Sequence, residues 1–387
     1  MDQASIIEIC QRHELPTPSY LVHLGVLERN LQILKDVQDR SGARIILALK
    51  GFAMFAVFPR VRRVLCGTSA SSVNEARLSL EEFGKEVHVY CVAYTEKDLA
   101  WYSTVAKHIT FNSLSQWQQL KPVALGRANV ASYGLRINPE YSEVETDIYN
   151  PCQPGSRFGM TAEQMEGADL DGLEGLHFHT LCEQNADTLE RTLEIIERKF
   201  GEYLHRAKWL NMGGGHHISR PDYDVDLLCD CVSHIRAKYN LVVYLEPGEA
   251  VAINTGFLVT TILDRFRSGD HDIAILDTSA AAHMPDVLEM PYVPDLIGAG
   301  PPGDKASTIR LGGLTCLAGD VIGDYSFDEP PNVGERLVFT DMAHYTMVKN
   351  TTFNGVPLPA IALYDPDEDQ VRIVRQFDYR DYRNRLS

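Results

Sequence analysis

The chain has 387 residues, of which 44% are hydrophobic and 23% charged, so we expect a soluble globular protein with two domains. Its 36 basic and 53 acidic side chains give a formal charge of −17, which disfavours nucleic acid and anionic membranes as partners and favours a cationic ligand. No apolar stretch approaches the length of a membrane span, and the amino terminus lacks a basic region followed by an apolar core, which predicts a cytoplasmic protein.

The eight cysteines are scattered along the whole length of the chain. Their spacing fits neither a disulfide scaffold nor a paired CxxC zinc site. We therefore interpret most of them as small core residues and predict no bound metal.

Short apolar strands alternate with amphipathic helices over residues 25–250, after an amino-terminal strand at 18–22. The predicted strands are 45–49, 66–69, 87–91, 108–111, 133–137, 173–178, 208–211 and 241–245, and the predicted helices include 73–83, 96–107, 113–120, 185–206 and 222–239. Eight strands, each followed by a helix, predict a (β/α)8 barrel of the TIM type.

The pattern changes after residue 250, where β-branched runs are interrupted by Gly, Pro and Asp turns. Strands are predicted at 255–263, 272–276, 335–339 and 370–375, which indicates an all-β second domain. We expect the barrel to comprise residues 25–250, and the β domain to comprise residues 1–24 together with 251–387.

Lys50 follows a run of apolar residues that reads as a strand buried on both faces. An ammonium at this position is poorly solvated, which lowers its pKa and frees the amine for imine chemistry. The alternative is that the long side chain simply reaches solvent.

Other predicted barrel strands also end in polar residues, and active sites of such barrels lie at these strand ends. His177 and His179 close the sixth strand, where they could ligate zinc, but a catalytic zinc site needs further ligands that the sequence does not supply. We interpret His177 as a core residue and His179 as a residue that stacks on a ring.

The seventh strand is followed by Gly213, Gly214 and Gly215, which would let backbone N–H groups approach an anion, or would form only a flexible turn. The eighth ends at Glu246, a carboxylate that needs a cationic partner such as a protonated pyridine nitrogen. A lysine, an anion cradle and a carboxylate are the parts that a pyridoxal phosphate enzyme requires.

The ordered set of these residues resembles the fold-type III pyridoxal phosphate-dependent decarboxylases with an alanine racemase-like fold, which include ornithine and diaminopimelate decarboxylases. The set consists of Lys50, His179, Gly213–Gly215, Glu246-Pro247-Gly248, Gly313–Cys316 with Asp320, and Tyr345 before Thr352–Gly355. Within this group, Glu246–Val251, Asp277–Met290 and Cys316–Asp320 look most like carboxynorspermidine/carboxyspermidine decarboxylases, whose reaction yields norspermidine or spermidine. Glu249 stands where ornithine-type enzymes have an arginine near the phosphate, and Leu317 where they have an aspartate.

The resemblance implies a role for each of these residues. Lys50 would hold pyridoxal phosphate, Glu246 would keep the ring nitrogen protonated, and His179 would stack on the ring. Gly213–Gly215 and the Tyr345 hydroxyl would hold the phosphate, and Gly248 would also bind the cofactor. Cys316 would return a proton to the α-carbon. Candidate substrate-binding residues are Arg157 for the carboxylate, and Glu249, His283, Asp286, Glu289 and Asp320 for the cationic polyamine. Glu75 would either organise the site or cap a helix.

The family resemblance also implies a homodimer in which Cys316 and Asp320 reach the partner's barrel. Three rival hypotheses are open at this stage. The chain could be a diaminopimelate decarboxylase, which needs an arginine-rich pocket for a second carboxylate. It could instead be a non-catalytic pyridoxal phosphate carrier, although such carriers are usually single barrels. The third rival is a zinc hydrolase that uses His177 and His179.

Overall fold

The structure is a computed structural model that describes residues 3–126 and 131–387. The chain divides into two compact units. One unit comprises Arg29–Val251, and the other comprises the described residues up to Glu28 together with Ala252–Ser387. Helix α1 (Gln3–Arg12) and strand β1 (Ser19–His23) both lie in the second of these units.

Eight parallel strands form a closed barrel within the first unit. Each strand pairs with its neighbours in chain order, and the last strand pairs with the first. All eight predicted barrel strands are present, as β2 (Arg44–Ala48), β3 (Gly67–Ala70), β4 (Glu86–Tyr90), β5 (His108–Phe111), β6 (Ser132–Arg136), β7 (Leu173–His177), β8 (Trp209–Asn211) and β9 (Val242–Leu245). The prediction of a (β/α)8 barrel is confirmed.

Helices follow the strands, and several begin at the capping residues that the sequence offers. Ser72, Thr95, Ser113 and Asp224 each accept a hydrogen bond from a backbone N–H of the following first turn. The helices are α2 (Leu24–Ser41), α3 (Phe58–Val64), α4 (Val73–Leu78), α5 (Glu96–Val105), α6 (Leu114–Leu125), α7 (Ala162–Met165), α8 (Ala186–Leu204), α9 (Val225–Tyr239) and α10 (Glu249–Ala252). Among the described residues, none of the helices has both the length and the apolar character of a membrane span.

The interior of the barrel is filled by side chains, with Trp209 as its largest member. A Cβ atom at Gly175 would lie 1.9 Å from this indole, and one at Gly134 would lie 2.4 Å from it. The ring of His108 stacks on Trp209 with 4.2 Å between ring centroids, and burial lowers its pKa to about 2. The barrel is therefore a packed core, which leaves the ends of its strands for a site.

The other unit is built on an eight-stranded sheet with the order β13-β12-β11-β10-β1-β15-β16, in which β14 pairs with β10. Its strands are β10 (Gly256–Ser268), β11 (His271–Leu276), β12 (Ser307–Gly312), β13 (Val321–Phe327), β14 (Arg336–Thr340), β15 (Ala360–Asp365) and β16 (Gln370–Arg375). Short helices connect them, as α11 (Ala280–His283), α12 (Asp286–Glu289), α13 (Thr346–Lys349) and α14 (Tyr379–Arg383). The expected β-rich second domain is present.

Alternating side chains of this sheet form two separate cores. Tyr20 and Leu258 lie in one core, whereas Leu21, Phe257 and Val259 lie in the other with residues of α1. This alternation follows from the period of two residues in a strand. The predicted amino-terminal strand belongs to this sheet, because β1 pairs with β10 and β15.

Candidate active site

Lys50 lies at the end of β2, as predicted, and its side chain remains accessible. Its Nζ atom is 3.3 Å from Nε2 of His179. The pKa of Lys50 is lowered, first because surrounding protein atoms replace water around the amine, while the nearby carboxylate of Glu246 opposes this shift. An amine that is accessible and yet poorly hydrated is available as a nucleophile.

His179 donates its remaining proton towards Lys50. The backbone N–H of Gly214 donates to Nδ1 of His179 at 3.0 Å, so Nδ1 is an acceptor and the ring proton lies on Nε2. The pKa of His179 is lowered well below its usual value by burial and then by the charge of Lys50. The Nε2–H of His179 therefore faces the Lys50 amine, which agrees with the lowered pKa of the imidazole.

The glycine loop after β8 is pressed against its neighbours. A Cβ atom at Gly213, Gly214 or Gly215 would lie 2.4, 2.4 or 2.0 Å from a backbone carbonyl oxygen, and the φ angles of Gly213 and Gly215 are +71° and +82°. The N–H of Gly213 donates to Oδ1 of Asn211, and that of Gly214 to His179. Close backbone approach is therefore present, whereas phosphate binding by these N–H groups stays a prediction.

Glu246 follows β9 and contacts two residues from neighbouring strand ends. Nδ2 of Asn211 donates to Oε1 of Glu246 at 2.5 Å, and Nε2 of His177 lies 3.6 Å from Oε2. Burial opposes ionisation of Glu246, but these contacts outweigh it and the pKa is lowered. The pKa of His177 is also lowered by burial, and the Asn211 amide makes the shorter of the two contacts with Glu246. Glu246 can thus present a negative charge to a cationic ligand.

Arg136 is a residue of this region that the sequence prediction missed. It is 4% exposed and donates from Nη2 to the carbonyl oxygen of His179 at 3.1 Å. Its guanidinium carbon lies 4.8 Å from the Tyr90 ring centroid and 4.3 Å from that of Phe158. The accessible Arg157 covers the same Phe158 ring at 4.4 Å, so two arginines share one aromatic ring.

The position of a polar residue at the end of a barrel strand could have identified Arg136 and two further residues that the prediction missed. Tyr90, Arg136 and Asn211 are each the last residue of a barrel strand, and so is His177. Polar residues in this position point to the same end of a parallel barrel. The prediction applied this rule to the first, sixth, seventh and eighth barrel strands. After the seventh strand it assigned a role only to the glycines.

Gly248 and Glu249 begin the segment after β9. A Cβ atom at Gly248 would lie 3.2 Å from Cα of Gly51, so this glycine permits close approach to the residue after Lys50. Oε2 of Glu249 lies 3.0 Å from Nε2 of His217. Together with Glu183, these two residues place three potential metal-ligand atoms within 4.8 Å of one another.

That group contains neither His177 nor His179. Over residues 3–126 and 131–387, those two histidines belong to no cluster with the spacing of a metal site. His179 instead faces Lys50, and His177 faces Glu246. The zinc hydrolase hypothesis therefore loses the residues on which it depended.

Glu75 caps α4. Its carboxylate accepts a hydrogen bond from the N–H of Ser71 at 2.6 Å, and its own N–H donates to Oγ of Ser72. The pKa of Glu75 is raised by burial, although the charge of Lys50 opposes that shift. Glu75 thus bonds to the start of α4 and also interacts electrostatically with Lys50, so its part in the site stays a prediction.

Two predicted residues lie on the loop between β12 and β13. Cys316 is exposed, and its N–H donates to Oδ1 of Asn354 at 2.7 Å. Asp320 is 5% exposed and accepts hydrogen bonds within its own unit. Tyr345 precedes α13 with a φ angle of +49°, and its role in phosphate binding stays a prediction.

His283 requires a correction. Its side chain is fully buried, and Nδ1 lies 3.0 Å from Oγ1 of Thr278. Its carbonyl oxygen accepts a hydrogen bond from the buried Tyr20 hydroxyl. Ser279 caps the short helix that turns His283 into the core, so His283 has a structural role and no surface for a substrate.

Asp286 and Glu289 share a cation from their own chain. The ammonium of Lys349 hydrogen-bonds to both carboxylates. Burial opposes the charge of Lys349, but these bonds raise its pKa. The two carboxylates therefore bind an ammonium of their own chain, and their binding of a polyamine stays a prediction.

Pyridoxal phosphate fits the barrel residues. Lys50 offers an accessible amine of lowered pKa, and Glu246 offers a carboxylate that its neighbours keep ionised. The backbone of Gly213–Gly215 lies where even one methyl group would collide with neighbouring carbonyls. These are the covalent, electrostatic and steric requirements of that cofactor.

Comparisons with known proteins agree with this chemistry. The family model of the pyridoxal-dependent decarboxylases, C-terminal sheet domain, matches residues 89–343. Carboxyaminopropylagmatine decarboxylase of Synechocystis sp. is 47% identical over 383 residues, which cover 99% of this chain and 98% of the relative. The carboxynorspermidine/carboxyspermidine decarboxylase of Campylobacter jejuni is 41% identical over 380 residues, with 95% and 98% covered.

Solved structures give the same result. Carboxynorspermidine decarboxylase from Campylobacter jejuni, complexed with norspermidine, matches with a TM-score of 0.88 and 40% identity over 96% of this chain and 100% of that chain. A diaminopimelate decarboxylase from Helicobacter pylori, with a TM-score of 0.81 and 15% identity, shares the fold. Because the family model covers most of the chain and these relatives exceed 30% identity along nearly its whole length, the chain belongs to the pyridoxal-dependent decarboxylases and is a pyridoxal phosphate-dependent carboxy-lyase.

Proposed function

We propose that this enzyme removes carbon dioxide from carboxynorspermidine, carboxyspermidine or both, and so forms norspermidine or spermidine. The observation that carries the proposal is the accessible Lys50 amine against His179, with Glu246 nearby, in a chain similar along its whole length to decarboxylases of such substrates. The formal charge of −17 suits a polycationic substrate.

Each of the site residues has a separate role in the reaction. Pyridoxal phosphate, when bound, accepts the electron pair left on the α-carbon as carbon dioxide departs. Lys50 holds the cofactor through its amine, and His179 orients that amine through Nε2. Glu246, oriented by Asn211, supplies the negative charge for the ring nitrogen. Cys316 returns a proton to the α-carbon.

A second candidate substrate is carboxyaminopropylagmatine. The relative with that activity is 47% identical over 99% of this chain. Its substrate ends in a guanidinium group, whereas carboxynorspermidine and carboxyspermidine end in a primary ammonium. Both groups are cations that a pair of carboxylates can bind. The choice between them is therefore a matter of pocket shape and donor geometry rather than of charge.

Steady-state release of carbon dioxide from the purified enzyme loaded with pyridoxal phosphate tests the function. We expect kcat/KM for at least one of these three carboxylated polyamines to exceed that for meso-diaminopimelate by more than about 100-fold, because the latter leaves a second carboxylate facing acidic residues. Carboxynorspermidine and carboxyspermidine differ by one methylene, worth about 1–3 kcal/mol. A preference for meso-diaminopimelate would overturn the proposal.

Asp286 and Glu289 provide a test of tail recognition. If a substrate ammonium replaces Lys349 between them, Asp286→Asn and Glu289→Gln should each lower kcat/KM about 10- to 100-fold, the value of one charge-assisted hydrogen bond. Lys349→Met is the matched variant, and it should lower KM because it removes the competing cation. Absorbance of the bound cofactor should be unchanged in all three. Wild-type kinetics in both carboxylate variants would assign tail recognition to other residues.

We also propose a homodimer in the cytoplasm, in which the Cys316 loop of one subunit completes the partner's site. Large apolar residues lie exposed on either side of this thiol, and Leu314, Leu317 and Phe353 are each more than 40% exposed. Apolar surface around an exposed thiol favours a protein partner. The eight cysteines are all free, which suits a reducing compartment.

A further inference from the structure

The loop between β12 and β13 has a buried acid behind an exposed thiol. We call residues 313–320 the Cys316 hairpin. The N–H of Gly313 donates to the carbonyl oxygen of Asp320, and the N–H of Asp320 donates to that of Leu317. Residues 316–319 are exposed, whereas Asp320 is 5% exposed. Asp320 is therefore buried at the end of the exposed segment that carries Cys316, the proposed proton donor.

The carboxylate of Asp320 accepts four hydrogen bonds. Three reach Oδ2, from Oγ of Ser279 at 2.9 Å, the N–H of Thr315 at 3.0 Å and the Thr315 hydroxyl at 2.7 Å. The fourth reaches Oδ1 from the N–H of Ala281 at 3.2 Å. A buried carboxylate is stable only with such partners, and here they use up the acceptor capacity of Oδ2.

Two further contacts fix the same hairpin. A Cβ atom at Gly313 would lie 2.4 Å from Oδ2 of Asp320, so the carboxylate occupies the space that only a glycine leaves. On the other side, Oδ1 of Asn354 accepts the N–H of Cys316. The backbone on either side of Cys316 is thus held by a side-chain acceptor, Asp320 at Thr315 and Asn354 at Cys316 itself.

We infer that Asp320 is a positioning residue that holds the Cys316 hairpin, and so the Cys316 thiol, in one conformation. This reassigns Asp320 from the predicted role of binding a substrate amine. The inference rests on the proposed role of Cys316 in proton return. A thiol that is misplaced by about 1 Å can cost up to about 100-fold in rate, which makes a fixed hairpin a requirement of that role.

Asp320→Asn is an informative substitution because an amide cannot reproduce this pattern. Either orientation of the amide places its NH2 group against a backbone N–H, that of Thr315 or that of Ala281. We expect kcat to fall about 10- to 100-fold while KM changes less than about threefold. Alkylation of Cys316 by iodoacetamide, followed by peptide mapping, should change in rate by at least about threefold as the thiol environment changes.

Thr315→Val separates positioning from substrate binding. It deletes only the hydroxyl that donates to Asp320, so it should shift kcat and Cys316 alkylation in the same direction as Asp320→Asn, by about 3- to 10-fold in kcat. The two changes should be non-additive in the double variant. A role of Asp320 in amine binding predicts no defect for Thr315→Val, because the change would free an acceptor site. Asp324→Asn, which removes a carboxylate paired with Arg310 on the next strand, is the matched control.

The result that overturns the inference is a raised KM for Asp320→Asn together with wild-type Cys316 alkylation and a wild-type Thr315→Val enzyme. If Asp320→Asn does not fold, Thr315→Val decides the question on the same two measurements. Alkylation does not depend on turnover. A fully active Cys316→Ala enzyme would therefore refute the proton-return role, while altered alkylation in Asp320→Asn would still support the positioning of the hairpin.

Discussion

Replacing Lys50 with alanine should abolish decarboxylation, with a loss of more than about 10³-fold in kcat/KM. The lost group is the accessible amine that His179 orients and whose pKa burial lowers. Borohydride treatment of the wild-type holoenzyme should attach the reduced cofactor irreversibly to Lys50. Mass spectrometry of tryptic peptides measures this directly, and the Lys50→Ala enzyme should yield no labelled peptide.

Lys199→Ala provides the matched control. Lys199 lies on the barrel surface, where its ammonium donates to the carbonyl oxygen of Pro139 and pairs with Glu140. This variant should retain activity and carry the label on Lys50. Lys50→Arg keeps a positive charge but lacks the nucleophilic amine, so it should be as inactive as Lys50→Ala. A labelled peptide that contains any other lysine would refute the assignment.

The barrel strands could be predicted from the sequence because of their burial. Strands of a parallel barrel are covered on both faces, and so each appears as a short apolar run between polar segments. The run that ends at Lys50 is an example, since Ile45, Ile46 and Leu47 are all fully buried. The same pattern placed Lys50, His179 and Glu246 at strand ends, and these residues do lie together there.

Contacts between residues distant in sequence could not be predicted in this way. Lys349 pairs with Asp286 and Glu289 from 63 and 60 residues away, and Ser279 reaches Asp320 across 41 residues. Spacing along one strand or helix carries no information on such pairs. The same limit explains why the sequence could not reveal the hydrogen-bond partners of the Asp320 carboxylate.

The error at His283 has a more local cause. The small residues and proline around it suggested an irregular segment that lines a site. Ser279 instead accepts the N–H of Ala282 and starts a four-residue helix, whose last residue is His283. The short helix thus ends with the imidazole of His283 in the core.

Cys316→Ala should retain pyridoxal phosphate and bind substrate but turn over about 10²- to 10⁴-fold more slowly, the range that general acid catalysis contributes. Loss of carbon dioxide does not need this thiol, whereas return of a proton to the α-carbon does. Part of the product should therefore be an aldehyde, because a proton added at the wrong carbon would leave the amine nitrogen on the cofactor and water would supply the aldehyde oxygen. Steady-state kinetics measures the fall in kcat, and chromatography measures the share of aldehyde among the products. Cys182→Ala, which removes a different thiol, is the control.

Mixing two inactive variants tests whether Cys316 acts in the partner's site. If each site takes Lys50 from one subunit and Cys316 from the other, a dimer of one Lys50→Ala and one Cys316→Ala chain contains one native site and one doubly altered site. Random exchange of equal amounts should then restore about one quarter of the wild-type activity, since half of the dimers are mixed and each has one working site. If Cys316 serves its own subunit instead, the mixture stays as inactive as its components, even though size-exclusion chromatography detects the mixed dimers.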